Sequence, residues 1–124
     1  MTRDPEYERW KRKYPRFPGV ATCVELLRRG NVRGAWVDII CGELEEHARE
    51  CTAELLDAIR ADANRGIRPI LLGVIENAGI PEALPLFVEL LDDPDESTRA
   101  HAVRGLKRLD TKEARQALWQ AGQR

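Results

Sequence analysis

Two amphipathic helices joined by a short acidic turn are predicted between residues 81 and 109. Apolar residues recur at helical spacing in both halves, namely Leu84, Phe87, Leu90 and Leu91 in the first and Ala102, Val103, Leu106 and Leu109 in the second. Between them, Asp93 is the predicted N-cap, Pro94 takes the first helical position, and Glu96 completes an Asp-x-x-Glu capping box. The stretch therefore predicts a helical hairpin.

A similar pattern precedes this hairpin by 31 residues. When residues 54–84 are laid over residues 85–115, Ile59 aligns with Leu90, Asp62 with Asp93, Asn64 with Asp95 and Arg68 with Arg99. Two units of about 30 residues, each a helix, an acidic turn and a second helix, predict a short α-solenoid. We expect a third, degenerate helix pair in residues 20–53.

The remaining helices follow from apolar spacing and from capping residues. We expect a helix over residues 20–29 that ends at Gly30, a second that Asn31 caps over residues 32–40, a break or a bend at Gly42, and a longer helix over residues 43–61. Further helices are predicted over residues 64–77 and, after a capping box at residues 110–113, over residues 111–121. The predicted fold class is all-α, with about six to seven helices.

Residues 1–19 are predicted to be an N-terminal arm or cap, separate from a solenoid domain over residues 20–124. Pro15 and Pro18 cannot continue a helix and favour an extended path. Either Trp10, Tyr14 and Phe17 fold back over the end of the helical stack, or the arm is mobile and binds a partner. We expect the cap, because the end repeats of solenoids need covering.

The turn and the second helix of the hairpin resemble a HEAT repeat. The resemblance rests on Leu84-Pro85, on the turn at residues 90–95, and on Arg99, Ala102 and Leu106, and it covers residues 50–121 well. It implies a right-handed α-α superhelix that binds proteins, with Arg99 and a turn aspartate bracing adjacent repeats. It also implies a concave face built from the second helices, which would carry Arg68, Leu72, Gly73, Glu76, Arg99, His101, Arg104, Lys107 and Arg108. Gly73 and Gly105 either leave gaps there or allow close helix packing.

The net charge is only −1, but the charge alternates in blocks along the chain. Lys and Arg dominate residues 1–33 and 98–124, whereas Asp and Glu dominate residues 34–62 and 82–97. One interpretation is that acidic residues crowd helix N-termini and basic residues crowd C-termini, as the helix dipole favours. The other is an acidic ridge that attracts a basic partner. Its candidate residues are Glu43, Glu46, Asp92, Asp93, Asp95 and Glu96.

No pattern in the sequence predicts catalysis, a cofactor or a metal. A metal site of Cys41, His47 and Cys51 lacks a fourth ligand, and His101 has no neighbouring nucleophile. Three cysteines at irregular spacing indicate reduced thiols. Because no run is long and apolar enough for a membrane span or a secretion signal, we expect a cytoplasmic protein with no membrane partner.

These observations predict a non-enzymatic protein-binding module. A free-standing HEAT protein of this size is similar to bacterial immunity proteins, which suggests an antitoxin-like protein that neutralises a basic toxin domain. One alternative is a general scaffold or assembly subunit. Another is a HEAT-like nucleic-acid-binding protein or DNA glycosylase that uses the basic C-terminal face, although a pI near 6.1 disfavours nucleic acid.

Overall fold

The computed structural model describes residues 5–30 and 34–123, and these residues form eight α-helices and no strand. The all-α prediction is confirmed, with one helix more than its upper count. The helices are α1 (Pro5–Lys13), α2 (Val20–Arg29), α3 (Gly34–His47), α4 (Thr52–Arg60), α5 (Arg68–Ala78), α6 (Leu84–Leu90), α7 (Glu96–Leu109) and α8 (Lys112–Gly122). The predicted cap at Asn31 lies outside the described residues.

The helices stack in two layers, as a solenoid requires. In one layer α3 packs against α5, and α5 packs against α7. In the other layer α2 contacts α4, and α6 contacts α8. The pairs α2–α3, α4–α5 and α6–α7 each join the two layers. We call α3, α5 and α7 the second-helix layer, because each is the second helix of its pair.

The core lies between the two layers. It is built from the apolar stripes predicted by helical spacing, including Leu55, Ile59, Leu71, Ile75, Phe87, Ala102 and Leu106. Leu72 is also fully buried, so the prediction that it faces outward on the concave side is wrong. Trp119 of α8 lies outside the core and is 66% exposed.

The N-terminal arm packs against α3. Trp10 is fully buried and meets Trp36 edge to face at a centroid distance of 5.4 Å, while Tyr14 lies 4.6 Å from the Trp10 ring. Phe17 stacks on His47 at 4.2 Å. Helix α1 therefore extends the second-helix layer beyond α3.

Gly42 does not break the chain, contrary to prediction. Helix α3 runs through Gly42 to His47, and the interruption falls at residues 48–51 instead. A glycine inside a helix costs about 1 kcal/mol. The burial of Ile40 and Leu44 on either side of it offsets that cost.

The N-cap of α7 lies two residues later in the chain than predicted. Asp95, not Asp93, caps α7, and its carboxylate accepts from both the backbone N–H and the hydroxyl of Thr98 at 2.8 Å. The Asp93 carboxylate accepts from the Asp95 N–H at 2.9 Å, and Pro94 stays outside the helix. As the N-cap, Asp95 accepts a second hydrogen bond, from the Thr98 hydroxyl, which a cap at Asp93 would not have.

The last helix begins one residue later than predicted. Thr111 caps α8 by accepting from the backbone N–H of Ala114 at 3.1 Å. Asp110 closes α7 in a left-handed conformation, with φ of 48°.

Two aligned arginines hold the turns of their own units. Arg99 donates to the carbonyl oxygens of Asp93 and Pro94 at 2.7 and 2.9 Å. Arg68, its equivalent one unit earlier, donates to the carbonyl oxygen of Ile59 at 2.9 Å. The hydrogen bonds therefore brace each hairpin internally, rather than bracing adjacent repeats as the resemblance implied.

The two glycines of the second-helix layer have different surroundings. A Cβ on Gly105 would lie 2.6 Å from the Cε1 and Cε2 atoms of Phe87, so this glycine allows the ring to pack against the backbone of α7. A Cβ on Gly73 would meet nothing within 4 Å. Gly105 is thus a packing residue, whereas Gly73 leaves a gap.

We expect Gly105→Ala to lower the free energy of unfolding by about 1–3 kcal/mol, because the Phe87 ring must shift in a packed core. The same change at Gly73 should leave that free energy unchanged or raise it by up to about 1 kcal/mol, because alanine favours the helix. Urea denaturation followed by circular dichroism measures both. Equal effects of the two substitutions would contradict this description of the packing.

Candidate partner-binding surfaces

The predicted site residues divide into groups at the two ends of α5. Arg68 begins α5 and lines grooves with Asp92, Asp93 and Asp95 beside the α6–α7 turn. Glu76 lies near the other end of α5, where it contacts α7. A helix of this length spans about 16 Å, so the two groups lie about that far apart.

The acidic turn uses part of its charge internally. Asp93 and Asp95 accept the hydrogen bonds that shape the turn, and the bonds from Thr98 hold the pKa of Asp95 below its usual range. Asp92, Asp95 and Glu96 nevertheless remain exposed. The turn is therefore a rigid acidic surface whose shape depends on two of its own carboxylates.

Glu43 does not belong to an acidic ridge. It is 5% exposed, and its carboxylate lies 3.3 Å from the Lys11 ammonium and 3.9 Å from Nε2 of His47. The hydrogen bond to Glu43 raises the pKa of Lys11.

Glu46 is exposed, but the acidic end of α3 is remote from the α6–α7 turn. The neighbouring Glu45 accepts from Asn77 at 3.1 Å, next to the C-terminal end of α5. The predicted continuous ridge is therefore wrong, because helical folding sends its two halves to opposite ends of α5.

Three of the predicted concave residues bind one another. Glu76 accepts from Arg104 at 2.7 Å, and its other oxygen lies 2.8 Å from Nδ1 of His101. This carboxylate is 14% exposed and links α5 to α7. Arg108 lies nearby, with its Nε 3.6 Å from the position a Cβ on Gly79 would take. A partner that used Glu76 or His101 would first have to break this network.

One group of possible metal ligands occurs in the described part of the chain. The ligand atoms of Glu43, Glu46 and His47 lie within 4.8 Å of one another, and Cys41 and Cys51 take no part. Lys11 already neutralises Glu43, so the group is an ion-paired cluster. All three cysteines are free, and burial raises the pKa of Cys23 to about 12 and that of Cys41 to about 11. These thiols stay protonated at neutral pH.

Sequence reasoning missed a groove between α2 and α4. It has a volume of about 540 Å³ and is lined by Val20, Ala21, Val24, Glu25, Arg28, Glu54, Asp57, Ala58, Ala61, Ala63 and Asn64. Asn64 is 6% exposed, and its buried Oδ1 accepts no hydrogen bond, although its Nδ2 donates to the carbonyl oxygen of Ala58 at 2.8 Å. The one sequence signal for this position was the alignment of Asn64 with the turn residue Asp95.

Two layers of antiparallel helix pairs define an α-solenoid repeat protein. A family model described as HEAT repeats matches residues 52–124, so the chain belongs to the HEAT repeat family. Proteins of this family generally mediate protein–protein interactions and are generally non-enzymatic. No curated protein and no solved structure matches the chain. None of the described helices has the length and apolar character needed to cross a membrane.

We expect Asp95→Ala to destabilise the protein at neutral pH, because α7 loses its cap. Since folding lowers the pKa of Asp95, its contribution is present above the unfolded value and disappears as the pH falls through the folded value. The difference in unfolding free energy between wild type and variant should therefore shrink on acidification, as urea denaturation at pH 7, 4 and 2.5 would measure. Asp57→Ala, which removes an exposed carboxylate from α4, is the control. A difference that does not change with pH would contradict the capping role.

We expect a double-mutant cycle on Glu76→Gln and Arg104→Gln to give a coupling energy of about 0.5–1 kcal/mol. The matched control is the pair Arg60–Glu89, which joins the same two types of side chain at 3.3 Å but is 46% and 64% exposed. Because solvent screens the control pair more, its coupling should be smaller. A larger coupling energy for Arg60–Glu89 than for Glu76–Arg104 would mean that burial of Glu76 does not strengthen the network.

Proposed function

We propose that this chain is a cytoplasmic immunity-type protein, which binds a basic partner protein and neutralises its activity. The observation that carries the proposal is the rigid acidic turn between α6 and α7. Its backbone is held by Asp93, by the Asp95 cap and by Arg99. A preformed surface loses little conformational entropy when a partner binds.

Charge supports a basic partner. Residues 82–97 contain six acidic residues and no basic one. Such a patch attracts a positive protein at long range and speeds association in a salt-dependent way. The fold supplies the binding mode, because HEAT repeats generally mediate protein–protein contacts. A general scaffold or assembly subunit is the alternative within the same class.

The nucleic-acid alternative has weaker support. Lys107, Arg108 and Lys112 are exposed near the α7–α8 corner, and no ion pair holds them among the described residues. However, Arg104 pairs with Glu76 and Arg115 pairs with Asp110, which reduces the positive field of this face. Binding to a phosphate backbone depends on such a field. We therefore favour a protein partner at the acidic turn.

We expect Asp92→Asn combined with Glu96→Gln to slow association with the partner by about tenfold at low salt and to flatten its salt dependence. Asp93 and Asp95 are left intact, because their loss would disturb the turn itself. The partner is first recovered from native cell lysate on the tagged chain and purified, and rates are then measured by surface plasmon resonance at 50 and 300 mM NaCl.

The matched control is Asp38→Asn combined with Glu113→Gln, which also removes two negative charges, but from exposed positions on α3 and α8. Association that is equally fast in all three proteins would refute the acidic-turn interface. Retention of nucleic acid instead of a protein through a 150 mM salt wash would favour the basic face.

A further inference from the structure

We propose that the groove between α2 and α4 binds an arginine side chain of the partner protein, together with an adjacent apolar residue. The proposal rests on the proposed function in that the occupant is a protein. It adds a second contact site, which lies in the first-helix layer and shares no residue with the acidic turn. Three features of the groove, namely its floor, its rim and its unpaired acceptor, argue for this occupant.

The floor of the groove is apolar. Val20 and Val24 of α2 are nearly buried there, and Ala58 of α4 and Ala61 lie opposite them. Small side chains on the α4 side leave room between the helices. The floor therefore fits an aliphatic side chain or the methylene stem of a long basic one.

The rim of the groove is acidic. Glu54 and Asp57 are exposed, lie three residues apart on α4 and so face the same side. Neither forms an ion pair among the described residues. Among the described residues that line the groove, Arg28 has the one guanidinium; it lies 3.5 Å from the carboxylate of Glu25, and Arg29 lies 3.3 Å from the same carboxylate. Because these two arginines neutralise Glu25, the net negative charge of the rim comes from Glu54 and Asp57, which favours a cation.

The Oδ1 atom of Asn64 is a hydrogen-bond acceptor that has no donor among the described residues. Its side-chain orientation is fixed, because exchanging the amide N and O would place two oxygen atoms 2.8 Å apart at the carbonyl of Ala58. Asp95, the equivalent residue of the next unit, accepts from the first turn of α7. At Asn64 a 3₁₀ turn over Asp62–Ile67 intervenes before α5, so no helix N–H reaches Oδ1. A buried acceptor left unpaired is costly, and a ligand donor would remove that cost if binding drew Oδ1, which is enclosed in the unbound groove, toward the occupant.

An arginine side chain matches all three features. Its guanidinium carries five N–H donors in one plane and can serve two carboxylates and an amide oxygen, while its stem packs on an apolar floor. A lysine ammonium presents fewer donors from a single point. The geometry therefore favours arginine over lysine, and a charged over a neutral occupant.

The test is a titration of the ¹⁵N-labelled full chain, followed by NMR. The probe is an acetylated, amidated hexapeptide with one arginine between two leucines and glycine elsewhere, and matched peptides carry lysine or citrulline in place of arginine. The arginine peptide should cause saturable shifts at Ala58, Ala61 and both amides of Asn64. The citrulline peptide, which keeps the shape but loses the charge, should bind about tenfold more weakly or less. The lysine peptide should bind with intermediate affinity.

The variants locate the contact. Glu54→Gln combined with Asp57→Asn should weaken binding of the arginine peptide by about tenfold, whereas Asp38→Asn combined with Glu113→Gln should leave it unchanged. The proposal is overturned if no saturable shift occurs at the groove, if citrulline binds as well as arginine, or if the shifts centre on residues 92–96.

This outcome is separate from that of the proposed function. If the groove variant binds the purified partner normally while the acidic-turn variant does not, the function stands and the groove proposal falls. If the groove variant binds the partner more weakly while the acidic-turn variant binds it normally, the groove proposal stands and the acidic-turn function falls.

Discussion

The contact between the Phe87 ring and the backbone at Gly105 is the constraint on which the second half of the structure depends. It sets how closely α6 approaches α7, and α7 in turn contacts both α5 and α8. The network of Glu76, His101 and Arg104 forms across the α5–α7 contact, so its geometry depends on α7 being held at that distance. Packing of one ring against one glycine thereby positions polar groups next to it on α7.

Most of the fold could be predicted from apolar spacing, because that spacing records directly which side of each helix is buried. It predicted the bounds of α2 without error, and it predicted the last residues of α5 and α7 to within one residue. Helix starts were less predictable wherever two capping residues compete. At Asp93 and Asp95 the choice depends on the Thr98 hydroxyl. The break after His47, not at Gly42, depends on how much apolar surface α3 buries.

The candidate surfaces were harder to predict, because charge along a chain does not tell which charges meet. Glu43 and the turn at residues 92–96 are both acidic, yet the first is neutralised by Lys11, which is 32 residues away in sequence. Glu76 was placed correctly on the second-helix layer, but its pairing with His101 and Arg104 required the distance between two helices. The groove at Asn64 depends on a 3₁₀ turn, for which apolar periodicity carries no signal.

Helix α1 also affects how copies of the chain can associate. A solenoid whose two ends match in shape can add further copies head to tail, and such heterologous contacts grow into open filaments unless they close into a ring. Here Trp10 fills the surface of α3 beside Trp36, so the apolar face of α3 at this end is covered by the chain's own first helix. Helix α1 ends in Lys11, Arg12 and Lys13, of which Lys11 is paired with Glu43. A second copy that approached this end of the described chain would therefore meet the basic surface of α1 in place of an apolar face of α3.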